Sequence, residues 1–313
     1  MDKIIVHGKN KSYSGIGQLP TGRADDSITE GCLVLEGGGW KGLYTIGVVD
    51  ALMTNNINFR TTVGISAGAL TGVGYVAGQI GWAIHIDLTY RHDSRYCGFG
   101  ALKAEHGIMG YKYLYKEINK EFPLDRKRLK KTERRLIVGA TNMLTGELTY
   151  FDKDCCNILA AAAASASVPF VSRPIMIGGV PYLDGGCVDK IPYRWAVEHG
   201  EKKIIVVKTR ERGYRRKEGK NRVTRLLYHE YPEFAKNLAT TNTRFNIMAD
   251  ELDREERAGN VFVIAPSRSV DVSRFDGNLE KLGALYWLGY QDATDSIVAL
   301  KDYLAADETE SIR

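Results

Sequence analysis

The chain reads as an α/β protein with a mostly parallel central sheet and helices on both faces. Two observations predict this. Short β-branched, apolar runs alternate with helical patterns through most of its 313 residues. Small-residue turns, Gly37 to Gly42 and the surroundings of Ser66, stand where a strand passes into a helix. The composition is globular: 44 % apolar and 26 % charged residues exclude wholesale disorder. No internal repeat or linker is visible, so one domain is expected, without staples for its core.

The elements follow in order. Residues 1–30 read as an irregular lead-in. Residues 32–36 form a buried strand. Residues 40–54 form a helix, because Leu43, Ile46, Val49 and Leu52 recur near helical spacing. A second strand spans 60–65 and a small-residue helix 67–79. Residues 82–125 read as short helices and loops. Strands at 135–141 and 147–151 flank the turn Leu144-Thr145-Gly146. The alanines of 155–165 predict a helix. Gly178-Gly179 signals a hairpin between strands at 174–177 and 180–183. A helix at 192–199 ends at Gly200, and a buried strand covers 203–207. Residues 223–256 are helical with a break near Pro232, 260–264 a last strand, and 279–304 a long helix. The expected division is a lead-in (1–30), a catalytic portion (31–207) and a mainly helical extension packed on the same domain (208–313).

The five cysteines, at 32, 97, 155, 156 and 187, include no C-x-x-C pair, which argues against a zinc ribbon or redox motif. Reduced thiols and a cytoplasmic protein are expected. The first 30 residues lack the apolar stretch of a secretory signal, and no run of 18 apolar residues occurs. The net charge of +5 is unevenly spread. The stretch that begins at Arg126 and ends at Arg135 is strongly basic, as is the one from Lys208 to Arg225, whereas the rest of the chain is net acidic. The bland reading is solvated surface. The sharper one is peripheral contact with an anionic membrane at its inner face, at roughly 1 kcal/mol per basic residue. Nucleic acid is not expected, since no aromatic series accompanies the charge. No calcium-loop spacing of acids is present, so neither a metal nor another cofactor is expected.

Three motifs carry chemistry. Gly37-Gly38-Gly39-Trp40-Lys41-Gly42 lies between a strand and a helix, where backbone N–H groups can converge on an anion. Phosphate binding, an oxyanion hole and mere tight packing all fit. The dinucleotide reading lacks its ribose-binding acid, since the second strand ends in Gly64-Ile65-Ser66. Gly64-Ile65-Ser66-Ala67-Gly68 is a G-x-S-x-G string in the strand–turn–helix context of a nucleophile elbow. Leu183-Asp184-Gly185-Gly186 is a turn signal first. Beside a serine elbow, Asp184 becomes the candidate base. Only His199 and His229 follow it, one at a helix end and one in a charged stretch, so a Ser-Asp dyad fits better than a triad.

Together these motifs resemble the patatin-like phospholipases, whose pattern is a G-G-G-x-R/K-G loop, a G-x-S-x-G elbow and a D-G-G/A motif. Ala164-Ser165 with Pro169 and Phe170, and Thr145-Gly146-Glu147, look similar too. The resemblance covers about residues 31–207, and more loosely Pro266-Ser267 and Val272-Ser273-Arg274. Lys41 stands where arginine is commoner, keeping the charge without the planar fork. The resemblance implies a patatin-like three-layer fold and a serine acyl hydrolase cleaving lipid esters, phospholipid or lysophospholipid. Ser66 is the implied nucleophile, Asp184 the base and the amides of Gly37, Gly38 and Gly39 the oxyanion hole. Lys41 orients that loop, and Gly42, Gly64, Gly68, Gly185 and Gly186 are the motif glycines. Three rivals are a silent lipid-binding or regulatory protein on the same fold, a nucleotide-binding protein, and a hydrolase with a hidden histidine.

Overall fold

The structure, a computed structural model, describes residues 12–154, 156–217, 222–273 and 276–306. Most of the first half of the lead-in, Cys155 at the expected start of one helix, part of the second basic stretch, and Arg274 lie outside the described residues.

In chain order the strands are β1 (Gly22–Arg23), β2 (Thr29–Leu35), β3 (Phe59–Ile65), β4 (Gln79–Ile80), β5 (Arg135–Asn142), β6 (Leu148–Asp152), β7 (Ile175–Ile177), β8 (Val180–Asp184), β9 (Ile204–Val207) and β10 (Val261–Ile264). The helices are α1 (Gly42–Thr54), α2 (Ala67–Val76), α3 (Trp82–Tyr90), α4 (Phe99–Glu105), α5 (Tyr111–Tyr113), α6 (Asn119–Glu121), α7 (Arg126–Lys131), α8 (Ile158–Ser165), α9 (Tyr193–Glu198), α10 (Arg222–Leu227), α11 (Pro232–Ala239), α12 (Thr241–Arg257) and α13 (Leu279–Ala305). The expected strands and helices are therefore present, with ends moved by a few residues. The expected helix at 155–165 is shorter because Asn157 caps it, its side chain accepting from the Ala160 N–H.

Eight strands form one sheet in the order β10-β9-β2-β3-β5-β8-β7, with β6 on β5. The run from β10 to β5 is parallel. Its strands are buried on both faces, and alternate residues serve opposite layers. Leu33, Leu35, Ile205 and Val207 join the cluster under α1, α2 and α13. Cys32, Val34, Ile204 and Val206 join Trp195 of α9 and Phe245, Met248 and Leu252 of α12. This three-layer arrangement is the expected α/β architecture.

Three placements were not legible beforehand. The strand β10 lies beyond the expected boundary at 207, yet it pairs with β9 and forms one edge of the sheet. The lead-in packs onto the body through buried Tyr13, Leu19 and Ala24, and β1 pairs with β4. The long α13 lies against α1 so closely that a Cβ on Gly47 would overlap the Tyr286 carbonyl, and one on Gly289 that of Tyr44.

The site is set by strand β5. Its residues 135–139 pair in parallel with β3, and its residues 140–142 pair antiparallel with β8, while β6 overlaps both segments and so takes the other edge. Thus β3 and β8 meet end to end along one edge of β5. Ile65 is opposite Gly139, and Asp184 is opposite Ala140. Two residues 118 positions apart are brought together by strand register alone.

Candidate active site

Ser66 occupies the sharp turn from β3 to α2 with φ 55° and ψ −122°, a conformation strained for any residue with a Cβ. The flanking glycines make the turn possible. A Cβ on Gly64 would lie 2.6 Å from the Gly68 carbonyl oxygen, and one on Gly68 would overlap that of Leu35. The strain is held by neighbours. The Ser66 N–H donates to Ser165 Oγ at 2.8 Å, and that hydroxyl donates to the Gly139 carbonyl at 2.5 Å. The sequence marks Ser165 only as part of a similar-looking segment; its role as a brace appears when α8 packs beside the elbow.

The Ser66 hydroxyl donates to Asp184 Oδ2 at 2.9 Å. Asp184 is fixed through both its side chain and its backbone. Its Oδ1 accepts the Gly186 N–H at 2.7 Å, its own N–H donates to the Ser167 carbonyl at 2.9 Å, and its carbonyl accepts the Thr141 hydroxyl at 2.8 Å. The Asx turn expected of Asp-Gly-Gly and the contact to serine thus coexist, one on each carboxylate oxygen.

In the glycine loop one expected donor is already engaged. The Gly37 N–H donates to the Lys190 carbonyl at 3.0 Å, which anchors the loop and removes this amide from an oxyanion hole. No acceptor for the N–H of Gly38 or Gly39 is found among the described residues. Gly39 has φ 57°, and a Cβ on Gly38 would lie 2.8 Å from Thr209 Oγ1, so both positions suit glycine. Behind the loop, buried Glu36 accepts the Thr209 N–H at 2.5 Å. Burial pushes its carboxyl up, against the pull of Thr209, Arg216 and Lys208. Gly42 starts α1 against Ala67, and Gly185 sits over the Gly139 carbonyl.

Two cavities meet at Ser66. One, of about 110 Å³, is mostly apolar and runs between Leu43, Ile46, Leu70, Trp82, Ile108 and Leu114. It also holds Asp87, whose carboxylate accepts the Tyr96 hydroxyl at 2.6 Å and is pushed up to about 6 by burial. The other, of about 80 Å³, is polar and contains the glycine loop, Asp184, Lys41, Lys190, Arg210 and Arg216. The apolar wall comes largely from residues 82–115, whose sequence showed only short irregular elements.

No histidine lines either cavity among the described residues. His199 Nδ1 lies 2.8 Å from the Trp195 carbonyl with its ring stacked on Trp195, and His229 Nδ1 lies 3.2 Å from the Leu226 carbonyl. Both are occupied at helix ends.

The two basic stretches part company. In the first, Arg134 is buried and donates to the Phe59 and Tyr75 carbonyls, Arg128 pairs with Asp26, and Arg135 pairs with Asp152. Only Arg126, Lys127, Lys130 and Lys131 stand exposed. They precede β5, whereas Ser66 follows the parallel strand β3, so they lie toward the opposite end of these strands from Ser66. The second stretch follows β9 and is at the site end. There Lys208 is buried, Arg212 pairs with Glu256, and Arg215 bridges Asp250 and Asp253.

A strained serine turn at the carboxyl end of a parallel α/β sheet, an aspartate on its hydroxyl and a glycine loop beside it make up the candidate site of this α/β protein. The family model for patatin-like phospholipase matches residues 33–197, more than half of the chain. The chain belongs to that family. A second model, of unknown function (DUF6363), matches residues 231–305, the span from α11 through α13. Among curated relatives, the uncharacterized protein YjjU of Escherichia coli is 29 % identical over 56 % of this chain and 51 % of its own. A probable lipid hydrolase, 463L, of invertebrate iridescent virus 6 is 29 % identical over 55 % and 64 %. The uncharacterized protein R571 of Acanthamoeba polyphaga mimivirus is 23 % identical over 86 % and 94 %. This chain thus spans about half to two thirds of the first two. VipD from Legionella pneumophila has a solved structure that aligns with a TM-score of 0.42 at 14 % identity, over 96 % of this chain and 72 % of its own. No helix among the described residues is long and apolar enough to cross a membrane.

Proposed function

We propose that this protein is a serine acyl hydrolase acting on carboxylic esters of lipids through a Ser66–Asp184 dyad. The observation that carries the reading is the 2.9 Å hydrogen bond from the Ser66 hydroxyl to Asp184 at a strained elbow, with no histidine among the described residues that line the cavities there. Asp184 takes the hydroxyl proton as Ser66 Oγ attacks the ester carbonyl. The oxygen that becomes negative settles on the Gly38 and Gly39 amides, where each such donor typically contributes about 2.7–4 kcal/mol. The tetrahedral intermediate collapses, the C–O bond to the alcohol breaks, and the alcohol leaves with the proton from Asp184. Water then attacks the acyl-enzyme with Asp184 again as base. A carboxylate is a weak base, so direct contact in a mostly dry site has to compensate; Ser66 is 7 % exposed.

The apolar cavity suits an acyl chain, and the family and the viral relative named as a lipid hydrolase support a lipid substrate. Approach to a lipid surface fits the site end of the molecule. Val168 lines both cavities, and two residues on, Phe170 is exposed with its ring 5.5 Å from that of Tyr228. Just before Tyr228, α10 exposes Leu226 and Leu227 beside Arg225. Apolar tips next to cations are what an interfacial element needs.

The deciding experiment is labelling with a fluorophosphonate, wild type beside Ser66→Ala, with hydrolysis of a short acyl ester in the same samples. Labelling and turnover that both vanish in the variant support the reading. A folded wild type that neither labels nor turns over the ester overturns it and favours a silent lipid-binding protein.

A further inference from the structure

The cavity that suits an acyl chain is not apolar throughout. Helix α3 turns Trp82, Ala83, Ile86 and Asp87 into it. That spacing is one face of a helix, so residue 87 stands where a pocket for a hydrocarbon chain asks for a hydrocarbon side chain. A carboxylate there is costly to leave against an alkyl group.

The partners of Asp87 answer only part of its hydrogen-bonding capacity. Its Oδ1 accepts the Tyr96 hydroxyl at 2.6 Å, and that hydroxyl has then given its one hydrogen. Arg91 acts on the carboxyl through space, against the larger effect of burial. The Arg91 guanidinium itself lies 4.6 Å over the Trp40 ring and donates to the Asp276 carbonyl. No hydrogen bond to Asp87 Oδ2 is found among the described residues. A second lining residue is similar. The Tyr115 hydroxyl has no hydrogen-bond partner among the described residues, and burial pushes its pKa up. Tyr111, by contrast, gives its hydrogen to the Ala166 carbonyl at 2.9 Å.

Such a wall discriminates between chains. A plain alkyl chain displaces water from Asp87 and gives it nothing in return. A hydroxyl on the chain donates to the carboxylate and replaces the lost partner. A ketone in the same place cannot, because a ketone and a carboxylate both only accept.

We propose that Asp87 is the specificity-determining residue of the acyl cavity, and that the substrate class is an ester whose acyl chain carries a hydroxyl group. This rests on the acyl-hydrolase reading and names the acyl half of its substrate. The bond broken is still that between the acyl carbon and the ester oxygen. The chain hydroxyl is held and not attacked.

The test uses the full chain at pH 8, above the value of about 6 to which burial lifts Asp87, so that its carboxylate is an acceptor. The substrates are methyl esters of decanoic acid in neutral detergent micelles. They comprise the plain chain, chains hydroxylated near the carbonyl, in mid-chain or at the far end, and the keto counterpart of the best of these. Wild type is expected to favour one hydroxylated chain over the plain one by about tenfold or more in kcat/KM, with no gain for the keto chain. In Asp87→Leu that ratio is expected to fall to about one or below, and in Asp87→Asn, whose amide oxygen still accepts, to fall between. Tyr96→Phe removes the tie to α3 but leaves the carboxylate, so it is expected to keep the preference while lowering the melting midpoint. A merely structural Asp87–Tyr96 pair would make Tyr96→Phe and Asp87→Leu alike in both readouts. Wild-type turnover of the plain chain equal to or above that of every hydroxylated one overturns the proposal whether or not the variants fold. So does a preference that survives in folded Asp87→Leu. An equal gain for the keto chain also overturns it, and points to a donor such as Tyr115. Turnover of a short acetate ester, which has no chain to place, is run alongside in wild type and Ser66→Ala. Ser66-dependent turnover without a hydroxyl preference fails the subsite alone, whereas its absence fails the hydrolase reading and the proposal with it.

Discussion

The elbow at Ser66 and the contact between α1 and α13 are both places where two backbones come closer than any side chain permits, and they use that closeness in opposite ways. At the elbow, Gly64 and Gly68 let the chain reverse so sharply that Ser66 is left at positive φ. Along α1 and α13, Gly47 and Gly289 let two helices touch with no residue strained, and two polar ties are added: Tyr286 to Asp50 and Tyr44 to Asp292, each at 3.0 Å. Of these two regions, strain falls on Ser66, the proposed nucleophile, and the close helix contact is free of it. Helix α1 joins the two, since it begins beside the glycine loop and ends under α13.

The largest expected effect breaks the chemistry alone. Ser66→Ala should lower ester hydrolysis by about a thousandfold or more, with circular dichroism and the melting midpoint little changed. Ser66→Gly should lose as much activity yet gain about 1 kcal/mol in urea unfolding, because glycine accepts the left-handed conformation. A glycine variant less stable than the alanine variant would deny that strain is stored there.

Asp184→Asn should come next, with a loss of about a thousandfold in kcat/KM, because the amide keeps the contact but cannot accept the proton. The wild-type pH–rate profile should lack a limb near ~6.5 of the kind a catalytic histidine gives. Such a limb, abolished by replacing His199 or His229, would sink the dyad.

The other side of the comparison breaks through Gly289→Ala, which drives a methyl into the Tyr44 carbonyl. A loss of about 3 kcal/mol in unfolding free energy is expected, with kcat nearly kept below the lowered melting midpoint. An equal fall in kcat would show that the two regions are not separable.

Ser165→Ala sits between the regions in kind and is smaller in effect. It removes the acceptor of the Ser66 N–H, and kcat is expected to fall by about tenfold with KM steady, as one lost hydrogen bond allows. Ser165→Thr should restore part of it, which a purely volumetric role would not.

The smallest effect is a pH dependence. Burial pushes the Asp50 carboxyl from 3.8 up to about 7, against the hydrogen bonds from Gly81 and Tyr286. The folded state therefore binds a proton that the unfolded chain releases, so stability is highest at acid pH and declines as pH rises through about 7. Asp189, pushed up to about 7 by burial, adds to the same slope. Urea unfolding at pH 5 and pH 8 should show the decline in wild type and a shallower one in Asp50→Asn.

Much of the site was legible because its chemistry is local. A strained turn requires glycines two residues either side of Ser66, and a strand-to-helix loop that offers amides requires Gly38 and Gly39; both requirements are written in consecutive residues. The same holds for the strands and helices, whose periodicities are short-range. Gly37 shows the limit, since whether its N–H faces an oxyanion or Lys190 depends on a segment about 150 residues away. The basic stretches show it again: Arg126 to Arg135 reads as surface charge, but Arg134 is buried against Tyr75, and Arg128 and Arg135 are paired with Asp26 and Asp152.

Local pattern was enough for the α/β class, the order of elements, the sharp strand-to-helix turn at Ser66 and the pairing of Ser66 with Asp184. Packing between distant segments settled that β3 and β8 abut on one edge of β5, that β10 forms an edge of the sheet, that residues 82–115 wall an apolar cavity and that Lys190, Arg210 and Arg216 share a polar one. The physical reason is range. Backbone conformation and hydrophobic period are set by neighbours along the chain, whereas a cavity is the space left between segments, and no segment encodes its own neighbours in space.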